Sequence, residues 1–101
     1  MSKYFSVVES AEADKYMVLP NEDNLPSLYT SGSRHVFGAR VMNTSYADYC
    51  RICRDVFGAK LVGKNSKYVI PYFYDIAAAN KFSKFMSDRM DNILKSLEDN
   101  I

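Results

Sequence analysis

The stretch "DIAAANKFSKFMSDRMDNILKSLEDN" (75–100) constrains the fold more than any other part of the chain. At helical spacing, Ala78, Ala79, Phe82, Met86, Met90, Ile93 and Leu97 fall on one arc, and Lys81, Lys84, Asp88, Asp91, Lys95 and Glu98 fall opposite. Lys84–Asp88 and Asp91–Lys95 are i,i+4 pairs that solvate the polar face. Asp75 can cap the first turn, so the pattern predicts a helix from 76 to about 98. A helix of this kind cannot bury its stripe alone, and the rest of the chain has to supply the cover.

That cover is predicted to be β-structure. "KYFSVV" (3–8) and "KYMVLP" (15–20) are short, rich in aromatic and β-branched residues, and separated by a polar loop, which reads as a hairpin. "AKLV" (59–62) and "KYVIPYF" (67–73) bracket the turn "GKNS" and read as a second one. Pro71 has no N–H for a ladder, so its strand lies at an edge or ends there. "HVFGARVM" (35–42), with His35, Phe37, Ala39 and Val41 alternating, reads as a third strand. Asn43, Thr44 or Ser45 can cap a helix that Gly58 closes. Residues 21–34, rich in Asn, Asp, Pro and Ser, read as a surface loop.

The expected order is therefore β-β-loop-β-α-β-β-α. It implies an α+β two-layer sandwich, an antiparallel-rich sheet with two helices packed on one face. A chain of 101 residues is expected to be one globular domain, 1–101. Hydrophobic content of 48% with 25% charge is ordinary for a folded domain and argues against wholesale disorder. The start, "MSKYFSVVES", does not read as a signal peptide. No apolar run approaches the ~20 residues that cross a bilayer. With two cysteines and no export signal, the expected compartment is the cytoplasm, with no membrane partner.

Both cysteines lie in "YADYCRICRDVFG" (46–58), at the C-x-x-C spacing of zinc clips and redox pairs. On a helical wheel Tyr46, Tyr49, Cys50, Cys53, Val56 and Phe57 share one arc, and Arg51 and Arg54 face away. Cys50 falls about five residues inside the helix, beyond the first-turn dipole that stabilises a thiolate. Structural zinc wants four ligands, and the chain offers two thiols and the lone His35. The pair is expected to be core, with a zinc- or thiol-dependent role through Cys50 and Cys53 as the outlying alternative. No metal or other cofactor is expected.

"GAKLVGKNS" (58–66) falls one residue short of a phosphate-binding P-loop. Asn65 stands where Ser or Thr belongs, and the segment follows a helix instead of opening one. No nucleophile stands beside a base, and no carboxylates pair at a pocket-like position, so the chain is expected to be non-enzymatic.

Charge is uneven along the chain. Residues 34–89 carry ten basic and four acidic side chains, whereas both flanks are acidic. Within that middle, Arg51, Arg54, Lys64, Lys67, Tyr68 and Tyr72 form the expected contact surface, with the 21–34 loop contributing. Val69 and Phe73 are expected to point inward, and Tyr68, Tyr72 and Tyr74 outward.

The leading expectation is a small modulator or inhibitor that docks on a protein partner, of a size in keeping with a virus- or mobile-element-encoded factor. Nucleic-acid binding through the basic and tyrosine-rich surface of residues 51–74 is the alternative. Apolar residues on both faces of the first strand, Tyr4, Phe5, Val7 and Val8, also point to a homodimer.

Overall fold

A computed structural model describes residues 4–10, 14–25, 34–63 and 69–99. The coarse expectation of a small α+β fold holds, but in place of one sheet with two helices on a face the described residues form two antiparallel two-stranded sheets and three helices. The finer order needs one correction, at residues 35–42.

Strands β1 (Phe5–Glu9) and β2 (Tyr16–Pro20) pair from Phe5 opposite Pro20 to Glu9 opposite Tyr16. The Ser10 N–H donates to the Lys15 carbonyl, and the Asn21 N–H to the Tyr4 carbonyl, each at 2.8 Å. Even-numbered β1 residues therefore bond to β2, and the backbone of Phe5, Val7 and Glu9 faces the opposite edge. A 3-10 turn at Glu22–Asn24 follows and leads to buried Leu25. The rest of the expected 21–34 loop, up to residue 33, lies outside the described residues.

The segment read as a third strand is helix α1 (Arg34–Met42). Burial refutes the strand: Phe37, Gly38, Ala39, Val41 and Met42 are all buried and Arg40 alone is exposed in that run, which no two-faced strand produces. The helix ends in a Schellman motif. Asn43 takes the left-handed conformation (φ 56°), its N–H donates to the Arg40 carbonyl, and the Thr44 N–H donates to the Ala39 carbonyl. The Arg89 guanidinium covers two further carbonyls, Val41 at 2.9 Å and Met42 at 3.3 Å.

Helix α2 (Tyr46–Asp55) starts at once. Ser45 is its N-cap, accepting the Asp48 N–H at 3.2 Å, so the three capping candidates divide between two helix ends. Gly58 (φ 78°) closes α2 as expected. Its N–H returns to the Arg54 carbonyl, and the Ala59 N–H to that of Cys53.

Strands β3 (Lys60–Val62) and β4 (Ile70–Tyr72) form the second hairpin. The two hairpins meet at one point, where Tyr16 and Phe73 exchange both backbone hydrogen bonds at 2.8 Å. In that antiparallel register the next bonded pair sets Val18 against Pro71. Proline has no N–H to give, so the ladder stops after one rung and the sheets stay separate.

Helix α3 (Ile76–Asp99) opens with Asp75 accepting the Ala77 N–H at 3.0 Å. Ala79, Phe82, Met86 and Met90 are fully buried, as the arc predicts. The helix packs on both strands of the first hairpin and on α1. Leu97, also placed on the arc, is exposed because the helix outruns the body it covers.

Candidate functional site

Cys50 and Cys53 are buried and unbridged. Tyr46 and Tyr49 stack beside them with ring centroids 6.0 Å apart, and the Tyr46 hydroxyl donates to the Val69 carbonyl at 2.6 Å. Burial, with weaker opposition from a Tyr49 hydrogen bond, pushes the Cys53 thiol up to about 12. Burial also raises the Cys50 thiol and holds the Tyr49 phenol well above its ordinary range. Both thiols are thus neutral packing groups at physiological pH. Among the described residues no cluster of three or more His, Cys, Asp or Glu side chains stands together to hold a metal.

Of the six expected contact residues, three lie in described segments. Arg51 and Arg54 are exposed on the outer face of α2, each held by a neighbouring carboxylate. Arg51 pairs with Asp48, and Arg54 grips Asp55 at 2.8 and 3.3 Å. The Arg54 hydrogen bond and charge keep the Asp55 carboxyl below its usual range. Tyr72 is half-buried on β4, with the Lys15 ammonium 5.3 Å from its ring centre. The exposed Tyr74 has Lys60 over its ring at 5.1 Å. Phe73 points into the core as expected, its ring 5.4 Å from that of Phe82. Lys64, Lys67 and Tyr68 lie outside the described residues.

The arginines sit beside something the sequence reading missed. Val56, placed on the apolar arc, is instead the C-cap of α2 and 68% exposed. The chain turns there, so a wheel drawn for a continuing helix no longer applies. Half-buried Phe57 sets its ring 4.7 Å from Phe82 and 5.2 Å from Phe85, which is itself 40% exposed on α3. Phe57 and Phe85 thus make an apolar contact at the edge of the core, with exposed Val56 next to Phe57 in the chain and Arg54 three residues before it. Phe85 lies three residues after the arc centre Phe82, and that spacing was its only sequence signal.

A second feature lies along the outer edge of β1. The Ser83 hydroxyl donates to the Phe5 carbonyl at 3.0 Å, and Ser87 Oγ accepts the N–H groups of Phe5 at 3.1 Å and Tyr4 at 3.3 Å. These buried hydroxyls lash the strand edge to α3. Next to that lashing, β1 and α3 bound a groove of about 810 Å³, lined by Val7 on one wall and by Asn80, Lys84, Asp88 and Asp91 on the other. Compared with family models, curated proteins and solved structures, the chain matches none.

Proposed function

We propose that this chain is a non-enzymatic docking domain that acts on a protein partner, as a modulator or inhibitor, through Val56, Phe57 and Phe85 with Arg51 and Arg54 at the border. The observation that carries the reading is the Phe57–Phe85 ring pair, partly open to solvent, with the exposed Val56 next in the chain. An aromatic centre with an arginine border is the make-up of an interface hot spot. A nucleic-acid reading draws less support. On α2 the charges of Arg51 and Arg54 are offset by Asp48 and Asp55, so the helix offers a polyanion no net positive charge.

The test is affinity capture from the native cell, with nuclease treatment, comparing wild type with a Val56→Ser, Phe85→Ser variant. Val56 is 68% exposed and Phe85 40%, so the variant should still fold cooperatively, which its thermal unfolding curve checks. A protein captured in quantity by wild type and lost from the variant is the expected result. Capture abolished by nuclease, or equal capture by both baits, would overturn the reading.

A further inference from the structure

We propose that the outer edge of β1, where it faces the groove against α3, takes an extended polypeptide segment bearing a basic side chain. This groove shares helix α3 with the Val56–Phe85 surface but is lined by other residues.

Strand parity is the starting point. Phe5, Val7 and Glu9 turn their backbone N–H and C=O away from β2. At Phe5 both groups are taken by Ser87 and Ser83. At Val7, two residues on, the same pair of groups opens into the groove and meets no partner among the described residues. A strand edge in this state offers one donor and one acceptor at the spacing of an extended backbone, which is how sheet edges capture peptides. The Ser83 and Ser87 lashing fixes the angle between strand and helix, so the groove is held open and not formed on demand. Its volume of about 810 Å³ lies within the range of ligand-binding clefts.

Charge selects among occupants. The helix wall carries Asp88 and Asp91 against Lys84, and β1 ends in exposed Glu9. Lys84 reaches Asp88 at 2.8 Å and Lys95 reaches Asp91 at 3.3 Å, but all four side chains are solvent-exposed, and pairs of that kind exchange partners at little cost. A polyanion meets the wrong sign here. A second copy pairing through β1 meets it too, because its strand "FSVVE" contributes Glu9 and no basic residue. A segment with Lys or Arg alternating with β-forming residues satisfies both the backbone and the wall.

The test pans a phage-displayed library of random 12-residue peptides on the immobilised full chain. Enriched sequences are then titrated as synthetic peptides by fluorescence anisotropy. The expected peptides carry a basic residue, slow hydrogen exchange at the Val7 amide at least tenfold, and bind Asp88→Lys, Asp91→Lys protein several-fold more weakly. Val7→Pro, which removes an N–H that β2 does not use, should weaken binding about tenfold. If that variant folds poorly, exchange at Val7 in the wild type decides alone. No enrichment, acidic peptides, or binding that leaves Val7 exchange unchanged would each overturn the proposal. Self-association that occupies Val7 would overturn it in favour of a second copy.

Discussion

Gly38 shows how much one residue decides. A Cβ placed there would lie 2.5–2.6 Å from the tip of the Tyr49 ring, so the missing side chain lets α1 and α2 approach. Tyr49 is buried, stacked on Tyr46 and 6.0 Å from Phe82, and cannot swing aside cheaply. Gly38→Ala should gain up to about 1 kcal/mol of helix propensity and lose more to the clash, for a net loss of about 1–2 kcal/mol. Urea unfolding measures this, and the loss should shrink in a Tyr49→Leu background, where the ring is gone. An unchanged cost in that background would mean the contact is not the cause. The sequence could not announce this role, because a glycine inside an apolar run reads equally as a bulge or a helix weak point. Ser83 and Ser87 were illegible for a related reason. A serine near the edge of an apolar arc looks solvated until the tertiary fold brings β1's open backbone to it.

At the scale of elements, the hairpins and the two helices with clear caps were readable, because each carries a local signal such as Ser45, Gly58, Asp75 or the "GKNS" turn. Helix α1 was not. Its seven-residue alternation includes Phe37–Val41, an i,i+4 pair that a strand and a helix share, so period alone could not arbitrate. The deciding features lie beyond the segment: Asn43 in the left-handed cap and Arg89, forty-seven residues away from Met42, on the terminal carbonyls. Arg89→Leu keeps the apolar stem and removes the charged donors, and should cost about 1–2 kcal/mol. Asn43→Gly should be neutral or slightly stabilising, since φ 56° suits glycine. Thermal unfolding of both variants separates the two caps. Equal losses would show that the Asn43 side chain, and not its backbone conformation, holds the turn. Pro71 belongs to the same scale. It was read as setting its strand at an edge or ending it; β4 runs through it to Tyr72, and the consequence, two sheets where one was expected, followed only once the Tyr16–Phe73 rung fixed the register.

Across the whole molecule, the cysteines test whether the core has been read correctly. The wheel sent Cys50 and Cys53 inward, and they are buried with Tyr49 in the hydrophobic core. The wheel could not foresee that the same helix would end two residues before Phe57 and hand Val56 to solvent, which is why Val56 and Phe57 were missed as part of the candidate surface. Burying the thiols has a thermodynamic consequence. An unfolded cysteine ionises near pH 8.5, whereas Cys53 in the fold holds its proton until about 12. Between those values the unfolded chain binds fewer protons than the native one, so stability must fall as pH rises. From this group alone the slope approaches about 1.4 kcal/mol per pH unit, and the Tyr49 phenol steepens it above pH 10. Well below the unfolded thiol value neither group contributes any dependence. Urea midpoints measured from pH 7 to 11 should therefore hold nearly level to about 7.5 and decline through about 8.5 and above. In Cys53→Ala protein the decline should be shallower but still begin in the thiol range, because burial also raises the Cys50 thiol, whatever that variant loses in absolute stability. Thiol labelling at pH 7.5 supplies the kinetic counterpart: both cysteines should react only as fast as the chain opens, and at the rate of free thiols in urea. Rapid native labelling, or midpoints flat to pH 10, would mean the C-x-x-C pair is accessible and would return it to the list of chemical sites.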